Sequence, residues 1–391
     1  MGRGSRRPTA SSKRIEGERP KVNHQGTDRE ADLDHSGRPG LGSDKPMHAS
    51  KVPKDHVVDI TALRRKIRHS SSKVVFPEGQ EEKIIKAAAV IAGQGIASPI
   101  LLGREDSIRD LAAGAGLDVT GISIEDPALS PRLESYVDEY CKDSDFPVGA
   151  ARRLLTKSVY YAAMMVRMGD ADAMVAGIAT STEEVVTASE LIIGLQEGIT
   201  TASSYSLMEI PGFKGEEGSL LIFADAATNP NPTPDQLADI AIASARSAKE
   251  LLDWEPRVAM LSFSTKGSAT HPDVDKVLEA IRIIREREAD LCMDGELQLD
   301  AAINPEVARR KIEGVSPVAG RANILIFPDL DAANIGYKLV QQLAKAAAYG
   351  PFLQGFAKPV SDLSRGSTVD DVVGAAIVVV LEAQAHEGIS N

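Results

Sequence analysis

Residues 147–177, PVGAARRLLTKSVYYAAMMVRMGDADAMVAG, decide the fold class. Helix-forming residues predict one long helix over Pro147–Met168, and Gly169 supplies the stop. The run Ala171-Asp172-Ala173-Met174-Val175-Ala176-Gly177 then reads as a strand. Its apolar residues are nearly continuous, without alternation, so both faces of the strand must be covered. The same pairing of helix and apolar strand recurs on either side. Lys73–Glu78 reads as strand then turn, Glu82–Gln94 as a helix ended by Gly93 and Gly95, and Pro99–Gly103 as the next strand. Further strands at Leu220–Phe223, Arg257–Phe263, Ala289–Met293 and Asn323–Phe327 are separated by helices of comparable length. Thr233-Pro234-Asp235-Gln236 opens one of those helices with a capping box and a proline at the first helical position. Ser203–Ile210 and Gly218–Asp225 add an antiparallel pair. The chain is an α/β protein with largely parallel sheets.

Composition narrows the function. The 391 residues suffice for two ordinary domains, and a hydrophobic content of 43% supports a real core. Aromatic residues make up only 4%, so that core is mainly aliphatic. A net charge of −12 argues against general binding to nucleic acid or to anionic membranes, and an anionic substrate would need a local positive pocket. Cys141 and Cys292 provide no disulfide framework and fit a reducing cytosol. With no apolar run of about 18 residues and no signal-peptide core, a soluble cytoplasmic protein is expected. Residues 1–55 differ in kind. They hold no aromatic residue and carry 12 Lys and Arg against 8 Asp and Glu, a charge of +4 that leaves −16 for the remainder. So little apolar surface cannot offset the entropy of ordering. A disordered arm outside the catalytic unit is expected there, with Met47 as an alternative translation start.

The densest chemistry lies at Lys358-Pro359-Val360-Ser361-Asp362-Leu363-Ser364-Arg365-Gly366-Ser367-Thr368-Val369-Asp370-Asp371. A serine, an arginine and an acid meet where an irregular segment turns into the last helix. Free backbone N–H groups and the positive end of the helix dipole can hold an anion there, and an arginine can grip it with two parallel hydrogen bonds. A hydroxyl and a carboxylate add an oxyanion donor and a base. A purely local reading stands beside this one: Ser367-x-x-Asp370 is a capping box, and Asp370 and Asp371 both suit a first helical turn. Capping leaves Ser364 and Arg365 unused.

This segment resembles the phosphate acetyltransferase (phosphotransacetylase) family, whose K-P-x-x-D-L-S-R-G-x-x-x-x-D stretch it matches at every fixed position. The resemblance continues through Leu261–Ser268, Asp294–Ala302, Ser316–Asn323, Phe327–Leu330 and Ala348–Pro351, and covers roughly residues 56–391. It implies two α/β domains of the isocitrate/isopropylmalate dehydrogenase type. Domain one would be split over 56–197 and 358–391, domain two would span 198–357, and the active site would lie in the cleft between them. It further implies a homodimer that moves an acyl group between coenzyme A and inorganic phosphate, with coenzyme A as substrate and no cofactor. By motif, Asp371 would be the base for the thiol, Ser364 the oxyanion donor and Arg365 the phosphate ligand. Ser181 and the loop Thr265-Lys266-Gly267-Ser268 would line the substrate site. Members of the family carry arginines where Cys141 and Thr187 stand here, leaving Lys142, Arg152 and Arg153 as nearby replacements.

Asp294, Glu296 and Asp300 could suggest a hard cation, but Asp294 and Glu296 read as one face of a strand, and no metal is expected. Neither a Walker loop, a G-x-G-x-x-G turn nor a Ser/His/Asp pattern is present. His271 before Pro272 reads as a helix start. Three other functions stay open on the residues alone: transfer of a propanoyl or butanoyl group, a coenzyme A-binding relative without turnover, and a hydroxyacid dehydrogenase of the same fold.

Overall fold

The computed structural model describes residues 60–67, 72–142 and 145–389; the N-terminal arm lies outside them. The first part of the chain contains α1 (Ile60–Lys66), β1 (Lys73–Phe76), α2 (Glu82–Gly93), β2 (Ser98–Leu102), α3 (Glu105–Gly114), β3 (Ser123–Glu125), α4 (Leu133–Cys141), α5 (Val148–Leu155), α6 (Ser158–Met168), β4 (Ala173–Ala176) and α7 (Thr182–Ile192). Next come β5 (Ser203–Glu209), β6 (Leu220–Ala224), α8 (Pro234–Leu252), β7 (Val258–Leu261), α9 (Pro272–Arg287), β8 (Met293–Leu297), α10 (Leu299–Ile303), α11 (Pro305–Lys311), β9 (Ile324–Ile326), α12 (Leu330–Leu343) and β10 (Ala347–Gln354). Strand β11 (Val360–Asp362) and helix α13 (Val369–Ile389) follow.

The strands form one sheet in the order β3-β2-β1-β4-β11-β10-β5-β6-β9-β7-β8. From β3 to β11 all neighbours are parallel, and so are β6, β9, β7 and β8. Between these blocks β10 is antiparallel to both β11 and β5, and β5 to β6. The two parallel blocks therefore run in opposite directions. Strands β4, β6 and β7 are buried at every position, which is why their sequences are unbroken apolar runs. On β1, Val74 and Phe76 join the core shared with α2 and α13, while Val75 joins the core under α6. Helix α6 is buried continuously from Val159 to Val166, an all-round apolar helix held inside the fold.

Several local expectations shift. The long helix over Pro147–Met168 is two helices, α5 and α6. The Thr156 hydroxyl donates to the Arg153 carbonyl at 2.9 Å, and Lys157 is extended, at φ −79° and ψ 129°, as the cap of α6. A side chain bonding back to the preceding turn competes with helix propagation. The strand expected at Ala289–Met293 begins where that run ends, as β8. Its buried acids are tolerated because distant groups satisfy them: Lys266 and Ser316 reach Asp294, and the Gly267 N–H and Ser264 hydroxyl reach Glu296. Strand β10 contains the Gly350-Pro351 pair. The strand absorbs the pair in a register shift between Tyr349 and Phe352. Gly350 sits there at φ +112°, and an added Cβ would lie 2.9 Å from the Tyr205 carbonyl oxygen. The Thr233 capping box and the His271 cap form as expected.

Candidate active site

Because β1, β4 and β11 are parallel neighbours, the segments that follow them gather at one edge of the sheet. After β11 the chain makes a tight turn. The Ser367 N–H donates to the Ser364 carbonyl at 2.9 Å, and the Gly366 N–H donates to Ser364 Oγ at 3.1 Å. With its oxygen accepting, the Ser364 hydroxyl has its own proton left to donate outward. Arg365 beside it is exposed.

Helix α13 then begins with a capping box one residue later than expected. The Asp371 N–H donates to Thr368 Oγ1 at 3.2 Å. In return Asp371 Oδ2 accepts from the Thr368 N–H at 2.7 Å and from its hydroxyl at 2.9 Å. The pair is Thr368 and Asp371, where Ser367 and Asp370 were expected, because the Ser367 N–H is already committed to the turn and its side chain is buried. The box uses Oδ2 of Asp371 and leaves Oδ1 with no hydrogen bond among the described residues. Capping thus holds the carboxylate that the resemblance names as the base.

Asp371 and Ser367 lie on the rim of a cavity of about 120 Å³ bounded by Tyr349 and Phe352 of β10, Leu363, and Gly374 and Ala375 of α13. Two buried polar atoms on its wall, Ser361 Oγ and Asp362 Oδ1, have no partner among the described residues. The other oxygen of Asp362 accepts from the Thr182 hydroxyl. Burial pushes the Asp362 carboxyl up to about 6, and the Glu78 charge nearby adds to the rise. Gly177 permits this packing, since a Cβ at that position would collide with Asp362 Oδ1.

Two residues that sequence reasoning missed belong to this edge. Lys83, in the first turn of α2, donates to the Ser367 carbonyl at 2.8 Å and adds a cation beside the turn. Its signal was a lysine at a helix start, where the dipole disfavours positive charge. Glu78, after β1, accepts from the backbone N–H groups of the loop after β4. Ser181 caps α7 by accepting from the Glu184 N–H at 3.2 Å; it is exposed, next to the Thr182 that reaches Asp362.

Thr265, Lys266, Gly267 and Ser268 are not brought to this edge. They follow β7, which runs opposite to β11, and none of them lines the cavity. Thr265 is buried and the other three are exposed: Thr265 Oγ1 accepts from the Gln298 N–H at 3.0 Å, and the Thr265 N–H donates to Ser268 Oγ at 3.0 Å. Lys266 is taken up by Asp294 and the Gly295 carbonyl. Asp300 pairs with Lys311 at 2.7 Å. Cys141 ends α4 and Thr187 is exposed on α7; of the nearby basic residues, Lys142 pairs with Glu139 and Arg152 with Glu134.

The sheet and this edge define an enzyme of the α/β class in which a helix start and an oriented carboxylate border a small cavity, with Arg365 and Lys83 on the adjoining turn. The family follows from comparison. The chain belongs to the family described as Phosphate acetyl/butaryl transferase, whose model matches residues 60–380. It is 44% identical over 328 residues to the phosphate acetyltransferase of Thermoanaerobacterium thermosaccharolyticum, covering 83% of this chain and 99% of that one. With the phosphate acetyltransferase of Bacillus subtilis it shares 40% over 325 residues, covering 83% and 98%. Among solved structures, a phosphotransacetylase from Streptococcus pyogenes superposes with a TM-score of 0.78 at 40% identity, covering 84% of this chain and 98% of that one. EutD phosphotransacetylase from Staphylococcus aureus does so at 0.76 and 37%, covering 83% and 98%.

Proposed function

We propose that this chain is a phosphate acetyltransferase: acetyl-CoA + phosphate ⇌ acetyl phosphate + CoA, within a ternary complex. The observation that carries the assignment is the state of three groups in one turn and the helix start that follows it. Ser364 has a proton to donate, Arg365 is exposed, and Asp371 has one oxygen held and the other open. In the direction that forms acetyl-CoA, Asp371 Oδ1 takes the thiol proton as the sulfur attacks the carbonyl carbon of acetyl phosphate. A free thiol ionises near ~8.5, so a base in contact is needed at neutral pH. The tetrahedral oxyanion is held by the Ser364 hydroxyl. The carbon–oxygen bond to phosphate then breaks, and the phosphate leaves onto Arg365, Lys83 and the Val369 and Asp370 N–H groups at the start of α13. In reverse, phosphate oxygen attacks acetyl-CoA and protonated Asp371 returns the proton to the sulfur. No acyl-enzyme and no metal are assigned a part.

The cavity between Tyr349, Phe352 and Ala375 receives the acyl group. It lies where β11 meets β10, which is where strands from 56–197 and 358–391 adjoin strands from 198–357. The two-domain division and a cleft site are part of this reading on the strength of the family resemblance, with one sheet running through both parts. Phosphate-dependent thiol release from acetyl-, propanoyl- and butanoyl-CoA tests the assignment. Acetyl-CoA should have the highest kcat/KM; higher values for the longer chains would move the enzyme to another acyl group, and no release from any of them would remove the function.

A cytoplasmic homodimer completes the reading. On α12, Ile335, Leu339 and Leu343 are 59%, 51% and 78% exposed and recur every four residues, an apolar stripe that a second copy would cover. Leu339→Glu is expected to turn the dimer into a monomer in light scattering after size exclusion. A wild-type monomer at micromolar concentration would contradict this. Among the described residues no helix is long and apolar enough to cross a membrane.

A further inference from the structure

Given the transfer proposed above, we infer that Glu78 is a positioning residue: its carboxylate is a built-in anion around which the Gly177–Thr180 loop folds. The loop follows β4, next to β1, and presents four consecutive N–H groups to one point. Such backbone nests, especially before a helix, are the arrangement that proteins use to hold phosphate. Here the nest is filled from within. Glu78 Oε1 accepts from the N–H groups of Gly177 at 3.2 Å, Ala179 at 2.8 Å and Thr180 at 2.6 Å, and Oε2 accepts from Ile178 at 2.9 Å.

Two consequences follow. The loop leads directly into Ser181, the cap of α7, and into Thr182, whose hydroxyl holds Asp362 two residues before Ser364. A displaced loop therefore shifts the strand end that carries the proposed chemistry, and misplacing reacting groups by about 1 Å can cost ~100-fold in rate. The second consequence concerns the substrate. Of the two neighbouring turns that lead from strand to helix, the one at 177–180 has its donors occupied by Glu78. The turn at 364–368 uses the N–H groups of Gly366, Ser367, Thr368 and Asp371 locally, but it opens a helix of 21 residues whose Val369 and Asp370 N–H groups have no acceptor among the described residues, with Arg365 and Lys83 beside it. The substrate anion is thereby directed to the second turn.

The test compares wild type with Glu78→Ala, Glu78→Gln and Glu78→Asp in the thiol-release assay, at a temperature where circular dichroism shows each fully folded. Melting is measured with sodium formate and with sodium chloride as the ionic control. Glu78→Ala and Glu78→Gln should lose about 10-fold or more in kcat. Formate should recover part of the rate of Glu78→Ala and raise its Tm, while leaving wild type and Glu78→Gln unmoved. A kcat within about two-fold of wild type in both folded variants would overturn the positioning role, and a loss that formate changes neither in rate nor in Tm would overturn the built-in anion. If Glu78→Ala does not fold, Glu78→Asp against Glu78→Gln decides: a higher kcat for the aspartate supports the role of the charge, and equal values overturn it. A wild-type protein without phosphate-dependent thiol release would remove the proposed reaction, whereas the formate effect on Tm would still report on the nest.

Discussion

Replacing Asp371 with asparagine is expected to lower kcat by about 10²–10⁴-fold, the usual contribution of a general base, with little change in Tm. The geometry makes this a clean separation of two roles. Asp371 Oδ2 is bonded to Thr368, and an asparagine oxygen can keep accepting those hydrogen bonds. What the amide cannot do is take a proton from the coenzyme A thiol. Thr368→Ala isolates the other role: it removes the capping hydroxyl and should cost about 1 kcal/mol of stability. Its effect on kcat should be smaller than that of Asp371→Asn, since the carboxylate remains but is less well oriented. Steady-state kinetics and melting curves of both variants decide. A folded Asp371→Asn protein with near-normal kcat would end the assignment of Asp371 as base.

The second large effect is on stability, at Asp362. Its folded-state pKa of about 6 lies above the ordinary aspartate range, so the native state binds the proton more tightly than the unfolded chain does. The contribution is therefore most favourable below the unfolded pKa, near ~4, and is lost as pH rises through about 6. At neutral pH the buried charge costs on the order of 3 kcal/mol, because a tenfold change in proton affinity corresponds to about 1.4 kcal/mol. Asp362→Asn keeps an acceptor for the Thr182 hydroxyl and removes that charge. Its Tm relative to wild type should climb between about pH 4 and 6 and stay higher above that range. A difference in Tm that does not change with pH would refute the buried-charge account.

Much of this protein follows from short-range rules acting on neighbours in the chain. A continuous apolar run such as 173–176 has nowhere to go but a covered parallel strand. Thr233-Pro234-Asp235-Gln236 satisfies its own backbone donors, so its helix start is settled within four residues. The Ser364, Arg365 and Asp371 constellation is local too, spanning eight residues that one turn and one helix start bring together. Other features depend on partners far along the chain. The capping register at 367–368 turned on whether the Ser367 N–H was already used. Lys266 reads as a substrate ligand in the sequence; its pairing with Asp294, 28 residues away, is something only the fold shows. Gly350-Pro351 became part of a central strand only because β5 and β11 flank it. Glu78 carried no motif: its meaning comes from the N–H groups of residues about 100 positions later, set opposite it by the pairing of β1 with β4. Hydrogen-bond donors near in sequence can be counted from the sequence, whereas a buried charge takes whichever partner the sheet order places beside it.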